Sequence, residues 1–229
     1  MNQHVFASVG ELYQAAALDF QTRALEAIAA RGRFCVALAG GSTPKGVYAA
    51  LAQLEAVPWT NIQLFWGDER CVPPDHADSN FGMVRATLLD HINIPHENIH
   101  RIKGELGATA ATLEYQAQLE VMFDGVPVFD LIHLGLGNDG HTASVFPNQN
   151  TLENPALVLE AFPNPDLSPQ VARVSLGLTT INAARVVQFF VTGAGKASIF
   201  AQLEQGLFPA DRVIAPQTQW WIDASVLNG

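Results

Sequence analysis

The chain has 229 residues and a formal net charge of −10, with 12 Lys+Arg against 22 Asp+Glu. That balance supplies no basic field for nucleic acid or an anionic membrane surface, and no apolar run approaches the roughly 20 residues of a membrane span. Hydrophobic residues at 48% and charged residues at 15% describe a compact globular protein rather than a disordered one. A small anion stays open as a ligand, because charges beyond roughly 8 Å are screened at physiological salt. Such a ligand needs a pocket built locally from the few cations.

The opening MNQHVFASVGELYQ has neither the basic region nor the apolar stretch of a secretory signal. Cys35 and Cys71 have no CxxC spacing and are too few for a disulfide framework. The expectation is a soluble, reduced, cytoplasmic protein with no obligate protein partner.

Ser8-Val9-Gly10-Glu11 has capping-box spacing. Leu12, Ala16, Phe20, Ala24 and Ile28 follow at four-residue steps, which predicts a long helix ending at Gly32. Phe34 to Ala39 is an uninterrupted apolar run, the pattern of a strand covered on both faces. A glycine turn leads to a helix from Pro44 to Leu54, with Pro44 as its first residue. Ile62 to Trp66 reads as a strand closing on Gly67-Asp68-Glu69-Arg70. Phe81, Val84 and Leu88 mark another helix, and Ala110, Leu113, Ala117 and Val121 a further one. Val128 to Leu136 and Val186 to Val191 read as strands. A helix carrying Ile199, Phe200 and Leu203 stops near Gly206, and Trp220 to Ile222 makes a last short strand.

Strands alternating with helices argue for an α/β fold, a Rossmann-like and mostly parallel sheet with helices on both faces. Pro155, Pro163, Pro165 and Pro169 lie in a stretch flanked by two short strand-like segments, 156–162 and 171–176. It reads as an excursion within one domain spanning 1–229.

In open α/β sheets, ligands sit outside the carboxyl ends of the strands. GGSTPK, GDER, GNDGH and TGAGK all fall at such ends. Gly40 and Gly41 let the backbone approach an anion, and the hydroxyls of Ser42 and Thr43 can join free N–H groups around a phosphate; an ordinary helix cap is the alternative. Gly135 to Gly140 formally matches the dinucleotide fingerprint GxGxxG. However, HTASVFP follows and breaks at proline before a helix develops, so the turn is better read as exposing Asp139 and His141. A histidine beside a carboxylate suits proton transfer near neutrality. His133, inside a strand, reads as core. Arg70 can clamp an anion or stabilise developing negative charge, or belong to a salt-bridged turn with Asp68. Lys196, at a glycine-rich strand-to-helix turn, favours an anion contact. Asp75, His76, Asp78 and Asn80 match no strong metal-ligand spacing.

Taken in order, GGSTP, FWGDERCVPPDHADSNFGMVR, FDLIHLGLGNDGHTASVFP and INAARVVQFFVTGAGK resemble the 6-phosphogluconolactonase family over nearly the whole chain. This family shares its fold with glucosamine-6-phosphate deaminases. The resemblance implies hydrolysis of 6-phospho-D-glucono-1,5-lactone, the small-molecule partner, with no metal or organic cofactor. It casts His141 as general base, Asp139 as its orienting group, and Arg70 as a substrate contact. Gly40, Gly41, Ser42, Thr43 and Lys196 would hold the 6-phosphate, and Asp68 occupies the place of a catalytic acid in the deaminases. The chain departs from the family's own pattern at one position and from that of the rival deaminases at another. Asn138 stands where the family often has proline or alanine. Phe146 stands where the deaminases carry a glutamate. A sugar-phosphate sensor in transcription regulation would need a DNA-binding module, for which the chain has neither length before Ser8 nor basic charge.

Overall fold

The computed structural model describes residues 1–147 and 149–228. Its centre is made of apolar runs. Strands β2 (Phe34–Leu38), β3 (Ile62–Trp66), β6 (Leu131–Gly135) and β9 (Val187–Val191) are buried along nearly their whole length, as strands covered on both faces must be. β10 (Thr218–Asp223) and β1 (Asn2–Phe6) extend one edge, and the two-residue β5 (Ile99–His100) forms the other. The seven strands run in the order β1-β10-β9-β6-β2-β3-β5, and every pairing is parallel.

Strand periodicity assigns the two faces. Phe34 pairs with Ile62, and Ala37 with Phe65, so Phe34 and Phe65 point to opposite sides. Helix α1 (Val9–Arg31) covers the first side, its Phe20 meeting Phe34 edge-on at 5.3 Å. Phe123, just beyond α4 (Ala108–Met122), covers the second, 5.8 Å from Phe65 and 5.1 Å from Phe129. Both ends of α1 follow their sequence signals. The Ser8 hydroxyl accepts the Glu11 N–H at 3.2 Å, and Gly32 ends the helix with φ +77°.

Helix α2 (Ser42–Leu51) starts two residues earlier than expected, so Pro44 is its third residue. Gly41, at φ +99°, turns the chain directly into the helix, and the missing N–H of Pro44 still falls among the first four, which have no intrahelical acceptor. Helix α3 (Asn80–Thr87) is capped by the Ser79 hydroxyl, which accepts the Gly82 N–H at 3.0 Å. Helix α4 turns a different face inward than its apolar spacing suggests. Ala111, Tyr115 and Leu119 are buried, whereas Leu113 is 66% and Val121 88% exposed. The Tyr115 hydroxyl donates to the Trp66 carbonyl at 2.8 Å and accepts the Trp66 N–H at 3.0 Å, which fixes the helix's rotation. After Lys196 the expected helix is one turn only (Ala197–Phe200), although Ile199, Phe200 and Leu203 are buried as anticipated.

The segments beside the prolines form β7 (Val158–Ala161) and β8 (Arg173–Leu176), joined by β4 (Asp68–Arg70) in an antiparallel second sheet ordered β4-β8-β7. Asp68 to Arg70 is thus a strand where a closing turn was expected. Among the described residues no helix is long and apolar enough to cross a membrane.

The rotation of α4 is open to direct test. Leu119→Ala should cost roughly 2–5 kcal/mol, the range for a truncated core leucine. Leu113→Ala should stay within about 0.5 kcal/mol, as for an exposed site. Urea midpoints that reversed this order would place the other face inward.

Candidate active site

From β2 the chain moves outward to β3, and from β6 it moves the opposite way to β9, so the sheet changes direction between β2 and β6. At such a switch point the two departing loops splay apart and leave a crevice. Here the crevice is a cleft of about 340 Å³, and it brings together Gly40, Gly41, Ser42, Thr43, Asp68, Arg70, His141 and Lys196.

The loop after β2 builds one wall. Gly41 caps α2 without a side-chain hydrogen bond, and no acidic residue stands in the first turn. The helix therefore presents its partial positive end unneutralised. A Cβ on Gly40 would lie 1.9 Å from the Asn80 amide oxygen, so the close approach of loop and Asn80 requires glycine there. Across the cleft the Thr43 hydroxyl meets that of Thr192, just past β9, at 2.7 Å.

The turn after β6 builds the opposite wall. Among the described residues no helix follows its GxGxxG; instead Thr142 and Val145 close a tight bridge. His141 Nδ1 lies 2.5 Å from Asp139 Oδ1, and the His141 backbone N–H donates to the same oxygen at 3.2 Å. Burial works to raise the Asp139 carboxyl, but the hydrogen bond and positive charge of His141 outweigh it and hold the group below the usual range. With the Nδ1 proton held by Asp139, the basic lone pair is on Nε2. Gly140 has φ +78°, and a Cβ there would strike the Phe208 ring at 2.4 Å. Lys196 reaches this turn as well, donating to the Leu136 carbonyl and the Asn138 side-chain oxygen, each at 2.6 Å. Burial pulls its pKa below the ordinary lysine value, with Asp139 acting the other way. Asn138 thus finds a partner in Lys196.

β4 supplies the third side. Its period of two puts Asp68 and Arg70 towards the cleft and Glu69 away from it. The Glu69 carboxylate accepts the backbone N–H groups of Arg70, Asn80 and Phe81 at 2.7–2.8 Å and the Ser79 hydroxyl at 3.0 Å. Burial pushes its pKa up against the pull of these amides. Asp68 is buried and occupied, accepting the Ser144 hydroxyl at 2.6 Å and the Asn80 amide at 3.2 Å. Ser144 is fully buried, and its hydroxyl is committed to Asp68. His133 is core as expected, its pKa pushed down to about 3 by burial.

One cleft residue was missed. Arg173 on β8 pairs in register with Arg70, is 4% exposed and also faces the cleft. Like charges directly opposite in a ladder repel, and burial lowers the Arg173 pKa while Asp68 supports the charged form. The Nε atoms of both arginines lack a hydrogen-bond partner among the described residues. The available signal was an arginine inside an apolar strand pattern, VARVSL. Asp139 sits behind His141, and its second oxygen lies 3.4 Å from the Asn164 amide of the proline-rich segment. Among the described residues no group of three or more His, Cys, Asp or Glu is placed to hold a metal ion.

A parallel sheet with a histidine–carboxylate pair and converging cations at its switch point is the architecture of an α/β enzyme acting on a small anion. Residues 7–221 match the model of glucosamine-6-phosphate isomerases/6-phosphogluconolactonase, and the chain belongs to that family. Among its relatives, the 6-phosphogluconolactonase of Synechocystis sp. is 42% identical, covering 93% of this chain and 91% of the relative. That of Nostoc sp. is 40% identical over 87% of this chain and 85% of the relative. The solved 6-phosphogluconolactonase of Trypanosoma brucei superposes with a TM-score of 0.89 at 30% identity, covering 99% of this chain and 97% of that one.

The Asp139–His141 turn has no room for a side chain at Gly137, where a Cβ would stand 2.1 Å from His141 Nδ1 and 2.7 Å from Asp139 Oδ1. Gly137→Ala should therefore part the pair and reduce turnover by about 10²-fold, the scale of a small misplacement. Its thermal midpoint should stay near that of the parent. Full turnover in this variant would mean the pair is not aligned as described.

Proposed function

We propose that the chain hydrolyses 6-phospho-D-glucono-1,5-lactone to 6-phosphogluconate, the lactone-opening step of the oxidative pentose phosphate pathway. The observation that carries this is the Asp139–His141 pair meeting Arg70, Arg173, Lys196 and the N-terminus of α2 around one cleft. In this reading Gly40, Gly41, Ser42 and Thr43 hold the 6-phosphate with backbone N–H groups and hydroxyls, and Lys196 supplies the countercharge. His141 Nε2 takes a proton from water as the oxygen attacks C1. Arg70, with Arg173 beside it, stabilises the oxyanion of the tetrahedral intermediate. Its collapse breaks the bond from C1 to the ring oxygen, and His141 returns the proton to that leaving oxygen. Asp139 orients the imidazole and stabilises its charged form, while Asp68 fixes Asn80 and Ser144 at the base of the cleft. The free thiols Cys35 and Cys71 suit the reducing cytoplasm as compartment.

The deaminase alternative asks for another carboxylate after the histidine. Phe146 is there instead, fully buried, 5.0 Å from the His141 ring and beneath the Arg173 guanidinium. An apolar ring can hold the imidazole in place but cannot carry a proton for ring opening.

A product assay with the phosphorylated lactone, the unphosphorylated lactone and glucosamine 6-phosphate tests the reading, and only the first should turn over efficiently. In that assay His141→Ala should lower kcat by roughly 10²-fold or more. Parent-like turnover in His141→Ala, or ammonia release from glucosamine 6-phosphate, would refute the assignment.

Lys196 adds a pH signature. Because burial lowers its pKa, the ammonium is lost before an ordinary lysine near roughly 10.4 would lose its proton. Product inhibition by 6-phosphogluconate should accordingly weaken as pH rises into the alkaline range below that value. Lys196→Arg, permanently charged, should flatten the profile, and Lys196→Ala should chiefly raise KM. A parent-like profile in Lys196→Arg would exclude Lys196 as the titrating contact.

A further inference from the structure

A second cavity lies at the other end of the sheet, where α1 ends and β2 and β6 begin. Its volume is about 470 Å³, a size typical of small-ligand pockets. Three of the chain's nine arginines, Arg31, Arg33 and Arg185, line it together with Phe123, Val128 and Asp130. The five residues of each central strand, at ~3.3 Å per residue, put this groove about 15 Å or more from the catalytic cleft.

One carboxylate serves these three cations. Asp130 is 8% exposed. Its Oδ1 receives Arg31 at 2.7 Å and Arg185 at 3.3 Å, and its Oδ2 accepts the Cys35 N–H at 2.8 Å. Asp130 thus has partners on both oxygens. Arg33 has no carboxylate partner among the described residues. Its amino groups rest on the Met122 carbonyl at 3.0 Å and thioether at 3.1 Å, and its guanidinium carbon lies 5.9 Å from the centroid of the Phe123 ring. Three cations against one anion leave a local formal charge of +2 in a chain whose total is −10.

A purely structural network accounts for Arg31 and Asp130, which tie the end of α1 to the start of β6. It leaves the terminal amino groups of Arg185 and the charge of Arg33 unmatched. The Arg185 side chain is half exposed, and its terminal amino groups make no hydrogen bond among the described residues. Guanidiniums gathered within a Debye length repel one another, and their planar donor forks match phosphoryl oxygens.

We propose that this groove is a second anion site, which takes the phosphoryl group of a small metabolite between Arg33 and Arg185. Phe123 and Val128 form the apolar wall for the rest of the molecule. A dianionic phosphoryl group balances the +2 of the groove, and the concave shape selects a small ligand over an extended chain. The site stands apart from the hydrolytic reaction, which enters its test only as a report of correct folding.

Calorimetric titration of the full chain with inorganic pyrophosphate provides the test. The parent should show two sites, one in the cleft and one in the groove. Arg33→Gln with Arg185→Gln should weaken the groove site by about tenfold for each guanidinium removed while catalytic turnover stays at the parent level, which also reports correct folding. Val128→Glu, which brings a negative charge to the groove without touching the ion pairs, should weaken the same site. Lys196→Ala should weaken only the cleft site. A single site lost with Lys196→Ala, or parent-like isotherms in both groove variants, would overturn the proposal.

Discussion

The parallel pairing of β2 with β6 is the constraint on which the rest of the site depends. Val36 lies opposite Leu131 and Ala37 opposite Ile132, in strands buried on both faces. Two neighbouring parallel strands end side by side, so the loops that leave them begin at adjacent points. One of these loops becomes the glycine-capped start of α2 and the other the Asp139–His141 turn. A one-residue slip in either strand would exchange its two apolar faces and shift its loop along the strand axis. Core packing against Phe20 on one side and Phe123 on the other therefore sets how the start of α2 and the Asp139–His141 pair face each other across the cleft.

The second sheet solves a different problem. Gly67 alone separates β3 from β4, so the chain leaves the main sheet at the cleft and returns its polar residues across it. Antiparallel pairing with β8 places Arg173 beside Arg70, and a two-residue period keeps Asp68 on the same side. Glu69 points the other way and holds the start of α3 by three hydrogen bonds, from the Ser79 hydroxyl and the Asn80 and Phe81 N–H groups. That anchoring carries Asn80 under Gly40, and the Asn80 amide in turn donates to Asp68. An acidic chain can thus concentrate cations locally: burial in a shared cleft makes a few guanidinium and ammonium groups matter more than the net charge.

Much of this was legible from residue order. An unbroken apolar run marked β2 and largely apolar runs marked β3, β6 and β9, because a doubly covered strand has little polar face to show. The alternation of strands with helices implied the parallel sheet, and strand-end position drew attention to GGST, GDER and GNDGH. Other features were not legible. The stripe Ala110, Leu113, Ala117, Val121 has helical spacing yet faces out, since the hydrogen bonds of Tyr115 to Trp66 outrank a modest apolar pattern. Asp68 to Arg70 passed for a turn because a three-residue strand is too short to show periodicity. Arg173 showed only as a lone arginine in an apolar strand pattern, and its place opposite Arg70 depended on the pairing of β4 with β8.

The acidic composition, the central strands with most of the helices between them, and the glycine, histidine and lysine motifs were determined by the sequence by itself, because each is read from composition or from neighbouring residues. Tertiary structure alone decided that Arg173 stands opposite Arg70, that Lys196 bonds Asn138, and that Arg31, Arg33 and Arg185 meet around Asp130. These contacts join residues tens to more than a hundred positions apart, and their geometry is set by sheet order and strand register, which no local pattern specifies.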